Sequence, residues 1–462
     1  MVDQRLTRRS EVAVSVEELF AWHERPGAFE RLTPPWEATE VVRTDGSLQA
    51  GTQVVLRTRL AGPIAPSWVA EHVEYDPPNA FRDVQRRGPF ALWDHTHRFE
   101  ALGPNRSALI DEVRYRLPLG ALGEAVAGRI VRARLERMFD YRHRTTIADL
   151  QTHARTKGSA TMHIAVTGST GLLGNALVAF LRTGGHTVTR ITRSGPTAAD
   201  ELRWDIDRGE IDVAGLRGVD AVVHLAGEGI AEKRWTDEQK RRILTSRTEG
   251  TRLIAETLAA MDDGPRVLVS ASAVGIYGER GDEVLTEDSG PGQGFLPDVV
   301  KAWEAAADPA RAAGIRVVHP RIGIVQTPDG GALGKVLPLF RAGIGGKLGS
   351  GGQYWSWVSR DDVIGLIQFA LTDGDLEGPV NAVAPNPVTN AEYTRVLGCV
   401  LKRPTVLPVP RFAPGILLGA ELAENLVFTS ARILPARAEK AGYSFKHTTL
   451  EACLRDILGR PA

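Results

Sequence analysis

Two rhythms of hydrophobic and polar residues run along this chain. Up to residue 116, apolar and polar positions alternate in short runs: residues 54–60 (VVLRTRL), 68–75 (WVAEHVEY) and 107–117 (SALIDEVRYRL). A period of two turns one face of a strand inward and the other to water, so these runs predict strands separated by turns. Ser15, with Glu18 three positions on, predicts a capped short helix over residues 16–23. A long helix is predicted from about Leu122 to Leu150, with Val126, Ile130, Leu135, Met138 and Ile147 at mostly helical intervals on its core face. Strand, short helix, many antiparallel strands and a long last helix make an α+β module over residues 1–151.

Residues 152–161 lie in a polar stretch (QTHARTKGSAT, 151–161) without hydrophobic period and read as a linker. Beyond it short apolar runs at 163–167 (HIAVT), 187–192, 221–225 (AVVHL), 266–270 (RVLVS) and 316–319 (RVVH) alternate with apolar-periodic stretches such as 175–182 and 248–260. Strand–helix alternation predicts an α/β domain with a doubly wound parallel sheet over residues 162–462, with a helical segment from about residue 400 on the substrate side.

Composition narrows the function classes. Hydrophobic residues make up 43% of the chain and charged residues 24%, so extensive disorder is not expected. Formal net charge is zero and no basic–aromatic stripe occurs, which argues against nucleic acid as a partner. No run approaches about 18 continuous apolar residues, and the first ten residues lack an apolar signal segment, so no membrane span is expected. Cys399 and Cys453 are far apart without metal-ligand spacing, and a reduced, cytoplasmic setting is expected. His95 and His97 share a strand face. Without a nearby carboxylate or third ligand they read as a packed or solvated pair, and no metal site is expected.

The sharpest chemical signal is MHIAVTGSTGLLGNALVAFL, residues 162–181. An apolar strand runs into Gly168-Ser169-Thr170-Gly171-Leu172-Leu173-Gly174 and then into an apolar helix. Gly168 permits the tight turn, Gly171 lets the backbone approach a pyrophosphate, and Gly174 lets the helix pack closely on the strand. The helix N-terminus then offers N–H groups and a positive dipole end to phosphates. At the end of the second strand, where NAD-specific proteins carry an acidic residue, stand Thr192 and Arg193. A guanidinium can bond a 2′-phosphate that a carboxylate would repel, so NADP(H) is favoured over NAD(H). Lys occupies only nine of the 56 basic positions, so a surface Arg from composition alone is the competing reading of Arg193.

This T-G-x-x-G-x-x-G form resembles the extended, epimerase-like branch of the short-chain dehydrogenase/reductases. The resemblance implies that Leu225, Ala226 and Gly227 after the fourth strand receive the adenosine ribose and that Asp205 meets the adenine amino group. It also places Ser272, in SASAVGIYG, at the catalytic serine position. The Tyr-x-x-x-Lys pair that active relatives use for proton transfer is missing: the corresponding helix reads GFLPDVVKAWEAAA (294–307), with Leu296 and Val300 near the Tyr and Lys positions and no Tyr four residues before Lys301. Tyr277 is the nearest phenol, in a motif whose tyrosine more often shapes the substrate pocket. Ser272 remains as a hydrogen-bond donor to substrate.

That departure is itself similar to an atypical subgroup of epimerase family, sugar-nucleotide-epimerase-like proteins. TGSTGLLG, RWTDEQKRRILTSR, FLPDVVKAWE, HPRIGIV and GSGGQYWSWVSRDDV carry the likeness, with Ser359 where relatives often have His. It implies a small polar substrate such as a nucleotide sugar, contacted by Arg321, Gln353, Trp355 or Trp357, and a homodimer through two helices. The element order of residues 1–151, with the opening SEVAVSVEELFAW, resembles the START/Bet v 1-like (SRPBCC) helix-grip fold. There a curved sheet wraps the last helix around an apolar cavity, so either a filled core or an apolar-ligand carrier is expected. Three functions stay open: an NADP(H)-dependent epimerase or oxidoreductase, a regulatory dinucleotide-binding protein without turnover, and a ligand carrier.

Overall fold

The computed structural model describes residues 3–37, 39–44, 46–58, 66–155 and 161–460. They fall into two units, the first built mainly from the residues up to 155 and the second mainly from residue 161 onward.

The first unit is one antiparallel sheet of seven strands under a long helix. The strands are β1 (Gln4–Val12), β2 (Thr39–Thr44), β3 (Gln53–Thr58), β4 (Ser67–Asp76), β5 (Ala80–Arg87), β6 (Leu92–Gly103) and β7 (Arg106–Arg116), in the order β1-β7-β6-β5-β4-β3-β2. Helix α1 (Val16–Glu24) starts where expected, with the Glu18 N–H donating to Ser15 Oγ at 3.3 Å. A short α2 (Ala28–Leu32) follows, and α3 (Ala121–Arg155) closes the unit. The expected strand over 54–60 is β3 as far as Thr58; residues 59 and 60 lie outside those described, as do 156–160 of the expected linker.

Helix α3 begins and ends beyond its expected bounds, and its first half turns a different stripe inward. Val126 and Ile130 are 74% and 72% exposed, and Leu122 is exposed with them. Ala127, Val131 and Met138 pack instead with Leu135 and Phe139 against Trp93, Val113 and Tyr115. Two apolar stripes lie about 100° apart on this helix. Periodicity alone selects the outer one, and packing on the sheet selects the other.

The second unit holds the parallel sheet. Its strands are β8 (His163–Thr167), β9 (Thr187–Thr192), β10 (Glu201–Asp205), β11 (Glu210–Ile211), β12 (Ala221–His224), β13 (Val267–Ser270) and β14 (Ser272–Ala273), with later strands Arg316–Ile322 and Gly378–Ala382. The order runs β11-β10-β9-β8-β12-β13 and on to Arg316–Ile322, which pairs with both β14 and Gly378–Ala382. Except for β10–β11, the pairs are parallel. Ile164, Val166, Val223 and Val269 on one face and Ala165, Val222 and Leu268 on the other are fully buried, because helices cover both sides. Helices α4 (Leu172–Thr183), α5 (Asp237–Ala259) and α6 (Phe295–Ala305) belong to these layers. The chain turns to opposite sides of β8 on its way to β9 and β12, which opens a crevice at the carboxyl ends of β8 and β12. Among the described residues no helix is long and apolar enough to cross a membrane.

Candidate functional site

The glycine loop occupies that crevice. Gly168 follows β8 with φ +65°, and a Cβ on it would stand 2.8 Å from the Ala226 nitrogen. A Cβ on Gly174 would stand 2.1 Å from the Gly168 carbonyl oxygen. These two glycines therefore serve close backbone packing. Gly171 is different: it is exposed, its N–H donates to the Gly168 carbonyl at 2.9 Å, and a Cβ there would meet only that oxygen at 3.2 Å. Thr170 and Gly171 thus present an open backbone at the start of α4, which runs twelve residues. Ser169 is buried and its hydroxyl has no hydrogen-bond partner. A buried orphan hydroxyl beside an exposed glycine turn at a helix N-terminus fits a phosphate-bearing ligand.

The neighbouring strand end is held by a polar relay. Thr167 Oγ1 accepts the Leu225 and Ala226 N–H groups at 3.1 and 3.3 Å and lies 2.7 Å from His224 Nδ1. With two N–H groups directed at that oxygen, its own proton goes to His224 Nδ1, which leaves the imidazole proton on Nε2. Burial, with the nearby Arg247 charge, pushes His224 down to about 4. Gly227 and Arg193 are exposed, and among the described residues Arg193 forms no ion pair. Asp205 is the last residue of β10, with Arg203 and Arg208 at 3.5 and 3.8 Å. Leu172 and Leu173 are half-buried in the first turn of α4.

The expected catalytic residues lie in a second, closed network. Ser272 is 2% exposed and donates its hydroxyl to Glu304 Oε1 at 2.6 Å. Arg321 grips the same carboxylate with two bonds of 2.8 and 2.9 Å and donates to the Tyr277 hydroxyl at 3.1 Å. Tyr277 in turn donates to Asn381 Oδ1 at 2.7 Å and is fully buried. Burial works against both charges, but the pairing outweighs it: the Glu304 carboxyl is held below the usual carboxylate range and the Arg321 guanidinium above its own. Burial likewise pushes the Tyr277 phenol up. Lys301 sits on the exposed side of α6, paired with Asp298 at 2.7 Å, while Leu296 and Val300 are core.

Two further positions expected to face substrate take other places. Trp357 is fully buried and spends its indole N–H on the Asn386 carbonyl, so it is a core residue; an aromatic residue in a polar segment reads the same in sequence whether packed or open. Arg321 is committed to Glu304. Gln353 lines a cleft of about 290 Å³ with Glu279, Asp282, Arg411 and Phe428. Its amide reaches the Leu348 and Val427 carbonyls at 3.4 Å, and the Trp355 indole donates to the latter as well. Local sequence pattern missed Glu304, Thr167 and Asn381, whose partners lie far along the chain.

It also missed two carboxylates in the first unit. His95 and His97 do have acidic neighbours, because the strands on either side bring Asp83 and Asp111 onto the same inward face. The interior expected to be apolar carries this polar cluster between two apolar clusters.

Comparison with known proteins follows the same division. The NAD dependent epimerase/dehydratase family matches residues 164–382, the polyketide cyclase/dehydrase and lipid transport family residues 12–139, and a domain of unknown function (DUF1731) residues 409–457. An epimerase family protein of Mycobacterium bovis is 42% identical over 298 residues, 64% of this chain and 98% of its own length. The crystal structure of a nucleoside-diphosphate sugar epimerase from Corynebacterium glutamicum superposes with a TM-score of 0.81 at 34% identity, covering 98% of this chain and 90% of that one. The human epimerase family protein SDR39U1 (isoform 2), crystallised with NADPH, matches with a TM-score of 0.59 at 33% identity, covering 64% of this chain and 99% of its own.

Proposed function

The chain belongs to the NAD dependent epimerase/dehydratase family, fused to a polyketide-cyclase-like helix-grip domain, and on that premise we propose that its second unit binds NADP(H) and acts on a small polar substrate of the nucleotide-sugar class. The observation that carries the cofactor reading is the glycine turn itself, with its exposed Gly171, orphaned Ser169 hydroxyl and free Arg193 at the end of β9. Thr170, Gly171 and Leu172 would hold the pyrophosphate through backbone N–H groups, and Arg193 the 2′-phosphate. Asp205 would meet the adenine amino group, and Leu225, Ala226 and Gly227 the ribose. The similarity to the human protein crystallised with NADPH supports this choice of dinucleotide, and the similarity to the Corynebacterium protein the class of substrate. When bound, the nicotinamide supplies hydride chemistry.

The closed network favours a second reading. Ser272 is tied to Glu304 and Tyr277 is fully buried, so neither offers an open proton donor in this arrangement. A protein that binds NADP(H) and responds to it without turnover fits that commitment. Ser272 and Tyr277 contribute to turnover only if a bound substrate draws the Ser272 hydroxyl away from Glu304.

Fluorescence titration of the full chain with NADPH and with NADH tests the cofactor reading. Tighter NADPH binding that Arg193→Ala weakens at least tenfold, with NADH binding unchanged, supports it; equal affinities sink the NADP(H) preference, and no binding sinks the site. Assay with nucleotide sugars then separates the two functional readings. Epimerisation lost in Ser272→Ala supports catalysis, and NADPH binding without turnover supports the regulatory reading.

A further inference from the structure

The proposed function leaves the polar cluster inside the first unit unused. Its members come from four strands and one helix. On the inward face of the sheet, β5 places Asp83 opposite His95 of β6, and β7 places Asp111 opposite His97. On β4, His72 stands opposite Asp83, and α3 contributes His143. Asp111 is 3% exposed, His95 3%, His97 8% and His143 1%, so these four lie in the interior, with Asp83 half-buried at its edge.

Five imidazole nitrogens sort into two groups. His95 Nε2 and His143 Nε2 hydrogen-bond to the two oxygens of Asp111 at 3.0 and 2.9 Å, and His97 Nδ1 lies 2.7 Å from the oxygen that takes His95. The opposite nitrogens of His95 and His97 face Asp83: Nδ1 of His95 is 3.3 Å and Nε2 of His97 3.8 Å from Asp83 Oδ2. A neutral imidazole carries one proton. His95 thus stands between two carboxylates, Asp111 on its Nε2 side and Asp83 on its Nδ1 side, and a cation bound at Asp83 would take the place of a proton on Nδ1.

We propose that Asp83 Oδ2, His95 Nδ1 and His97 Nε2 are the ligands of a divalent first-row transition cation of the zinc or ferrous class. Asp83, His95 and His97 each offer one ligand atom within 4.8 Å of the other two. Ligands at about 2.1 Å from a tetrahedral cation stand roughly 3.4 Å apart, close to the two separations from Asp83. Asp111 lies behind both imidazoles, the carboxylate–histidine–metal arrangement that fixes ring orientation and raises ligand basicity. Two buried nitrogens outside these contacts, His72 Nδ1 and His143 Nδ1, lack hydrogen-bond partners, which marks the region as incompletely satisfied by protein alone. Two carboxylates, Asp111 buried and Asp83 half-buried, lie near the Arg142 guanidinium, whose Nε donates to the Leu32 carbonyl at 3.3 Å. A divalent ion offsets the remaining negative charge. Two nitrogens and one carboxylate select a borderline cation over Mg²⁺ or Ca²⁺, which demand a shell of oxygens.

The test is metal titration of the full chain after chelator treatment, with Co²⁺ as the spectroscopic probe and Zn²⁺ as competitor. The expected result is one equivalent of Co²⁺ with visible d–d absorption, displaced by Zn²⁺, lost in Asp83→Asn and His97→Gln and weakened about 10–100-fold in Asp111→Asn. Far-UV circular dichroism on each variant shows whether it is folded. A wild-type chain that takes up no stoichiometric Co²⁺ overturns the proposal, and so does uptake that persists in the folded Asp83→Asn and His97→Gln chains. If those variants do not fold, a Zn²⁺-dependent rise in the melting temperature of the wild-type chain, together with its Co²⁺ spectrum, decides the matter: both present supports the site, either absent overturns it.

Discussion

Thr167 gives its hydroxyl proton to His224 Nδ1 across 2.7 Å while the same oxygen holds the backbone N–H groups of Leu225 and Ala226. The imidazole can stay in this contact only while neutral, since protonated Nδ1 would turn a second donor on the hydroxyl. Burial, with the Arg247 charge nearby, also keeps the ring neutral, so that His224 resists protonation to about 4, against an ordinary value of 6.5. The unfolded chain takes up the proton first, so the contribution of this residue is intact above pH 6.5 and is lost as pH falls toward 4. Melting curves across that window should show the second unit weakening by up to about 3 kcal/mol from this group, and His224→Gln should flatten the acid limb. An unchanged limb in the variant rejects the assignment. Thr167→Val, which strands two N–H groups, should cost about 1–3 kcal/mol at neutral pH.

The glycines of the turn should separate by role. Gly174→Ala drives a Cβ into the Gly168 carbonyl and should lower stability by about 1–3 kcal/mol or more. Gly171→Ala meets only one oxygen at 3.2 Å and should leave the melting temperature nearly unchanged while weakening dinucleotide binding. Paired melting and NADPH titrations check both. Equal loss of stability in the two variants would contradict the division.

Glu304→Gln should be the costliest single change in the second network, because it leaves the Arg321 guanidinium buried without its counter-charge. The expected loss is about 3–5 kcal/mol by denaturant unfolding. Ser272→Ala removes one hydrogen bond from the same carboxylate and should cost about 1 kcal/mol. A larger effect of Ser272→Ala on turnover than on stability would identify a chemical role for the hydroxyl.

In the first unit, Arg31 and Asp149 form a two-bond ion pair, 2.7 Å in each arm, with both side chains under 5% exposed. Asp149→Asn should destabilise that unit by about 3–5 kcal/mol, whereas Arg31→Met with Asp149→Leu should recover most of the loss. Chemical denaturation of the three chains measures it. A double variant as weak as the single one would mean that the pair does more than neutralise itself.

Legibility in sequence followed distance along the chain. The glycine turn, the Ser15 cap and the strand–helix alternation are local patterns, and each stands where its residues place it. The dinucleotide crevice was readable for that reason. Glu304 and Arg321 are seventeen residues apart on a helix and a strand, and no spacing rule joins them. Asp111 meets His95 and His143 across sixteen and thirty-two residues, through strand register and helix packing. Val126 and Ile130 show the opposite failure, a local period that is real but faces the solvent, because only the sheet decides which stripe is covered.

The alternation of β6 has a consequence for how the chain finds its fold. His95 and His97 point inward, and the intervening Asp94 points outward to Arg82 and Arg114. A slip of β6 by one residue would bring Asp94, Thr96 and Arg98 into the interior and expel both histidines. Misaligned sheets would then strand Asp111 without its imidazole partners and Asp94 without its arginines. The polar cluster thus penalises every odd-numbered misregistration of the central strands, a proofreading function that an all-aliphatic interior would perform less sharply.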